Sequence, residues 1–226
     1  MSTARLVTVR EPAAPEGVVI VLHGGASRRG QMKVSPAQLS VLRMIPVARR
    51  IARSGRGRLA VYRLLNSYRG WDTRHTPVHD AAWAVEQVAE RHGADVPVCM
   101  VGHSLGGRAS ILASSLPQVR GVVALAAFVY PSDADGRGIR GRQILFVHGL
   151  LDRIAPAQRA RQLAERLAVA NRVGFVAVAR GKHAMLAQHR TFERTAVDFV
   201  GMLLLDAAPS TVVGVAMDGG RVVQVD

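Results

Sequence analysis

The 226-residue chain is 49% hydrophobic, carries 30 Lys and Arg against 16 Asp and Glu, and has a net charge of +14. That is enough apolar sequence for one domain with a sizeable core, while no run reaches the roughly 18 uncharged apolar residues of a membrane span. The first residues, MSTARLVTVREPAAPEG, lack the apolar stretch of a secretory signal, and one cysteine, Cys99, excludes an internal disulfide, so a cytoplasmic, reducing location is expected.

The chain opens with two apolar β-rich runs, ARLVTV (4–9) and GVVIVL (17–22). A helical candidate follows in the insertion 27–45, with Ser35 as N-cap and Pro36 at the first helical position before AQLSVLRMI. Pro46 opens the next helix, PVARRIARSG, which Gly55 closes. Between Glu16 and Asp72 eleven basic residues meet no acid. A face built from that stretch would attract anionic substrates, headgroups or acidic partners. Aromatic residues are 4% of the chain and do not interleave with these arginines, so no nucleic-acid partner is expected.

Strand 59–65 comes next, then a helix AAWAVEQVAERHG with Asp80 as its cap. Strands 96–101, 121–127, 143–148 and 173–179 then alternate with helical patterns at 105–115, 156–170 and 190–205. Most of the strands are apolar on both faces, as in a parallel sheet covered by helices on both sides. The alternation predicts an α/β fold with a doubly wound, mainly parallel sheet. Residues 1–226 read as a single domain. The tail from 206 holds TVVGVAMDGGRVVQV (211–225), which reads as a β-hairpin around Asp218-Gly219-Gly220. It would give the sheet an added edge that a second copy could use in a homodimer.

Residues 102–106, Gly-His-Ser-Leu-Gly, stand between a strand and a helix. In that setting G-x-S-x-G is a nucleophile elbow, a turn too tight for side chains at its flanks that lifts the serine over the strand ends. A serine hydroxyl needs a base, and the base needs a carboxylate to orient it. Both belong in loops after later strands, on the same rim. Asp152 lies in HGLLDRIAP after strand 143–148, and His183 lies in RGKH after strand 173–179. His103 and His148 read as neighbours of these motifs held by hydrogen bonds, and His23 as a brace for its loop. The oxyanion of an acyl intermediate needs N–H donors. Leu105, directly after the serine, supplies one, and the turn Leu22-His23-Gly24-Gly25-Ala26 supplies the other from Gly25 or Ala26.

The motifs LHGGA, GHSLGG, HGLLD and GKH together resemble the α/β-hydrolase family over about residues 4–205. The likeness is greatest to its small dienelactone-hydrolase-like members, although dienelactone hydrolase proper has cysteine where Ser104 stands here, so its substrate is not implied. The resemblance implies Ser104 as nucleophile, Asp152 as acid, His183 as base, and Leu105 with Gly25 as oxyanion donors. It implies hydrolysis of an ester or related acyl bond in a small-molecule substrate, with no metal and no organic cofactor. The same triad would serve an acyltransferase, peptidase or perhydrolase, and an inactive binding protein could keep the fold.

Larger members of the family carry a cap after the strand corresponding to 121–127. Here FVYPSDADGRGIRGR is too short and polar for one, so an α/β-hydrolase fold without a large cap is expected. Cover would come instead from 35–45, with Leu39, Leu42, Met44 and Ile45, or from the loop 66–74. Tyr68 and Trp71 of that loop are candidate pocket residues, and Arg69, Arg74 and Arg108 candidate partners for an anionic substrate.

Overall fold

The computed structural model describes residues 3–25, 32–135, 138–219 and 222–226. Eight described strands form one sheet: β1 Arg5–Arg10, β2 Gly17–Leu22, β3 Leu59–Leu65, β4 Val98–His103, β5 Val119–Leu125, β6 Gln143–Gly149, β7 Arg172–Val178 and β8 Val222–Val225. Their spatial order is β1-β3-β2-β4-β5-β6-β7-β8. β1 pairs antiparallel with β3, and every other pairing is parallel.

Alternation along each strand divides its side chains between two layers. Val18, Ile20 and Leu22 face one core with α3 (Thr76–His92), α4 (Leu105–Ala113) and α5 (Ala157–Leu167). Val19 and Val21 face the other, with α2 (Met44–Ser54), α6 (His189–Leu205) and α7 (Thr211–Met217). β2 and β4 are buried along their whole length, which is why they read as unbroken apolar runs. No helix among the described residues is long and apolar enough to cross a membrane.

Three local expectations are corrected. The tail is not a β-hairpin: Thr211–Met217 is helical, and β8 pairs parallel with β7. Val213, Ala216 and Met217 are buried at helical spacing, and a Cβ on Gly174 of β7 would lie 2.7 Å from Met217 Sδ. Packing of that stripe outweighs the strand preference of the β-branched residues. The helix credited to Asp80 begins at Thr76, whose N–H donates to Asp72 Oδ1 at 2.8 Å. Asp80 is buried instead and accepts from Ser67 N and Oγ at 2.7 and 2.8 Å, tying the loop after β3 to α3. Ser35 does not cap a long helix. Its Oγ accepts from Ala37 N at 3.3 Å, and the short helix α1, Leu39–Leu42, starts after Gln38.

Candidate active site

β4 ends at His103 and α4 begins at Leu105, so one residue, Ser104, makes the whole turn. Its backbone sits at φ 54°, ψ −116°, a conformation that costs a side-chain-bearing residue energy and persists only where its surroundings enforce it. The flanking glycines explain the enforcement. A Cβ on Gly102 would lie 2.3 Å from Gly106 O, and one on Gly106 would lie 2.6 Å from His23 O. Ser104 N donates to Leu125 O at 2.9 Å, and Ser104 O accepts from Phe128 N at 3.1 Å. A serine before a helix ordinarily caps it. Here no side-chain cap forms, and Ser104 Oγ lies 3.0 Å from His183 Nε2 instead.

His183 Nδ1 is 2.8 Å from Asp152 Oδ2, so the structure brings Ser104, His183 and Asp152 together from three loops on one rim. With Nδ1–H donating to the carboxylate, Nε2 presents its lone pair to the serine hydroxyl. Asp152 Oδ1 accepts from the N–H groups of Ile154 and Ala155, each at 2.9 Å. Burial alone would raise the Asp152 pKa; hydrogen bonding from His148, His183 and Ala155 outweighs it and holds the carboxyl well below its ordinary range. His148 is fully buried, with Nε2 2.7 Å from Ala155 O and 3.5 Å from Asp152 Oδ2.

His103 is buried behind His183. Its Nε2 lies 2.8 Å from the His183 carbonyl, and their rings are 5.1 Å apart. Burial pushes its pKa down to about 3. His23 is shifted the same way by burial; its Nδ1 donates to Gly24 O at 2.6 Å and its Nε2 accepts from Asn66 N at 3.2 Å, bracing the loop between β2 and β3. The unfolded chain binds a proton on His103 near pH 6.5, the folded chain near pH 3. Acid therefore favours unfolding across that window, by at most about 1.4 kcal/mol per pH unit for one group. Denaturant titrations between about pH 4 and 7 should show stability rising with pH. His103→Gln should flatten part of that slope, and an unchanged slope would refute the assignment.

The Gly24-Gly25 turn abuts the elbow: a Cβ on Gly24 would lie 3.2 Å from Ser104 Cβ, and one on Gly25 would lie 3.6 Å from Leu105 Cδ1. Leu105 is the first residue of α4, where backbone N–H groups have no acceptor within the helix. Ala26, the other residue expected to donate, lies outside the described residues.

Ser104 and His183 open into a cleft of about 920 Å³. Trp71 lines it; Tyr68 does not, being drawn away by an antiparallel bridge to Lys33. The segment Ala37–Ser40 and Arg43 line it on one side, and Phe128, Tyr130 and Ile154 on the other. Of the apolar residues expected to cover it from 35–45, Leu39 does so, whereas Met44 is buried in the core. Arg69 and Arg108 line the cleft and Arg74 does not. Phe128, Tyr130, Ile154 and Arg43 escaped the sequence reading. Phe128 and Tyr130 lie within five residues of the end of β5, and the rule that sites gather at strand ends could have found them. A larger groove of about 1190 Å³, lined in part by Arg50, Arg53 and Arg194, contains none of the expected site residues. Among the described residues no group of three or more His, Cys, Asp or Glu is placed to hold a metal.

No family model matches the chain, and no curated protein matches it in sequence. Solved structures do match its fold. The esterase Pf2001 of Pyrococcus furiosus aligns over 90% of this chain and 93% of its own, with a TM-score of 0.66 at 11% identity. A serine hydrolase without a lid from Xanthomonas campestris aligns over 91% and 90%, with a TM-score of 0.62 at 18% identity. An alpha-beta serine hydrolase homologue from Coxiella burnetii aligns over 86% and 89%, with a TM-score of 0.60 at 16% identity. At these identities the likeness establishes the fold.

Proposed function

We propose that this chain, which has the α/β-hydrolase fold without a large cap, is a serine hydrolase that cleaves an ester or related acyl bond. The observation that carries the proposal is the unbroken line from Ser104 Oγ to His183 Nε2 at 3.0 Å and from His183 Nδ1 to Asp152 at 2.8 Å. His183 takes the hydroxyl proton as Ser104 Oγ bonds to the acyl carbon, and Asp152 stabilises the imidazolium that forms. The carbonyl electrons move onto oxygen, where the N–H groups of Leu105 and Gly25 receive the charge. His183 then gives its proton to the departing alcohol, leaving an acyl-enzyme on Ser104. A water molecule, deprotonated by His183, attacks that acyl carbon and frees the acid and the serine.

A fluorophosphonate probe should form an adduct on Ser104 in the folded protein and none in Ser104→Ala. Failure to label folded wild-type protein would remove the proposal. p-Nitrophenyl esters of graded chain length would then define the acyl preference.

The oxyanion role of the Gly24-Gly25 turn has its own test. A Cβ on Gly25 would lie 1.9 Å from Arg69 O, so Gly25→Ala must shift the turn against the Arg69 backbone and disturb the Gly25 N–H beside the elbow. The expected result is kcat lower by about 10²-fold or more, the effect of losing one oxyanion donor, in a protein whose Ser104 still labels slowly. Wild-type kcat in that variant would place the second donor elsewhere.

A further inference from the structure

The three arginines that line the cleft with Ser104 are in different electrical states. Arg108 is neutralised: its guanidinium donates to both oxygens of Asp133 at 2.8–3.1 Å. It lies 4.1 Å from the centre of the Trp71 ring and 4.9 Å from that of Tyr130, so it serves as part of the wall. Arg69 donates through Nε to the Gln38 amide oxygen at 2.8 Å, a contact that orients the guanidinium and, with no ion pair to Arg69 among the described residues, leaves its charge unbalanced. Arg43 has less. Its Nε is shut off from solvent and has no hydrogen-bond partner among the described residues.

Arg43 is also fixed in place. It joins α1 to α2, with its N–H donating to Leu39 O at 3.0 Å and the next residue, Met44, buried in the core. Burial lowers the Arg43 pKa, and its charge is felt at His103, which adjoins the base. No Asp or Glu lines the cleft among the described residues. Asp152, the carboxylate of the site, is engaged by His183 and two backbone N–H groups. A partly buried guanidinium with an unmatched N–H is an unfavourable arrangement in the free protein. An anion in the cleft that accepts from the terminal N–H groups of the guanidinium offsets that penalty by pairing the charge, and the planar fork of arginine fits a carboxylate with two parallel hydrogen bonds.

We propose that the cleft takes esters that carry a carboxylate, held by Arg43 and Arg69 while Ser104 attacks the ester carbonyl. The inference rests on the hydrolase reading and adds the substrate class to it. The carboxylate is a handle that takes no part in bond making. The ester is split by water into an acid and an alcohol, one of which leaves with the handle.

The test compares matched anionic and neutral esters by pH-stat titration. Monomethyl succinate, glutarate and adipate place the carboxylate on the acyl side, and acetoxy acids place it on the alcohol side; neutral methyl and acetate esters of equal length are the references. In wild type, kcat/KM in at least one anionic series should exceed its neutral reference by about 10–100-fold, the range for a hydrogen bond to a charged group. The difference should lie mainly in KM and shrink in high salt. Arg43→Met and Arg69→Gln should each lower that ratio about tenfold, and Arg43→Lys should fall between wild type and Arg43→Met. A wild-type ratio near one in both series, or a ratio indifferent to these substitutions, overturns the proposal. Should Arg43→Met fail to fold, the wild-type ratio and Arg69→Gln decide.

A binding arm separates the two readings. Calorimetry with glutarate on Ser104→Ala, with and without Arg43→Met, reports the anion site without turnover. If fluorophosphonate leaves wild-type Ser104 unmodified yet glutarate binds through Arg43, the hydrolase reading fails and the anion site stands. If Ser104 labels and glutarate does not bind, the anion site fails alone.

Discussion

Ser104→Ala should abolish ester hydrolysis, with kcat about 10⁶-fold below wild type and the protein still folded. The size of the effect follows from the division of labour in the site. His183 and Asp152 would remain paired at 2.8 Å, but the base would have no hydroxyl to deprotonate. What persists is whatever binding and the oxyanion donors achieve with water as nucleophile, typically 10³–10⁴-fold over the uncatalysed reaction by order of magnitude. Stability should change little. Ser104 makes no side-chain cap for α4, so the substitution removes the hydrogen bond to His183 but no helix cap, and alanine at φ 54° inherits the same backbone strain. Thermal unfolding alongside steady-state rates checks both halves. Retention of more than a few per cent of activity would mean another residue attacks the substrate.

The elbow was legible because its constraints are largely local. Gly102 is required by the backbone of Gly106, four residues on, and the strand and helix on either side declare themselves by apolar run and spacing; Gly106 is required by the carbonyls of Leu22 and His23, which only the fold brings up. The positions of Asp152 and His183 were legible because each follows a strand buried on both faces, β6 and β7. The cleft wall was not, because it is made by contacts between distant segments. Arg108 reaches Asp133 twenty-five residues away, and Trp71 and Tyr130, which flank it, come from loops on either side of β4. Tyr68 and Trp71 look equivalent in the sequence and differ in the fold because Tyr68 bridges to Lys33 while Trp71 stacks on Arg108. The tail misled for a related reason. Val212, Val213 and Val215 favour a strand taken alone, and the space left by Gly174 for Ala216 and Met217 makes the segment a helix.

Asp152→Asn should lower kcat by about 10⁴-fold while leaving Ser104 in place, and the hydrogen bonds around Asp152 give the reason. Oδ1 accepts from two N–H groups, those of Ile154 and Ala155. An asparagine there must keep its carbonyl oxygen toward those two donors, because an NH₂ would face them as a third donor. Its NH₂ is then forced into the Oδ2 position, facing His183 Nδ1. That nitrogen must now accept, so the ring proton moves to Nε2 and points at Ser104 Oγ. The base has become a donor, and the serine proton has nowhere to go. The lost negative charge also leaves the imidazolium of the transition state unsupported. The same carboxylate gives a stability signature. Its folded pKa is depressed, so its contribution is present above the ordinary carboxylate value of about 4 and is lost as pH falls through the lower folded value. The stability gap between wild type and Asp152→Asn should therefore be widest above about pH 4 and close in stronger acid. Rates measured beside unfolding curves separate the two effects. A variant that kept near wild-type kcat would show that His183 does not depend on Asp152 for its tautomer.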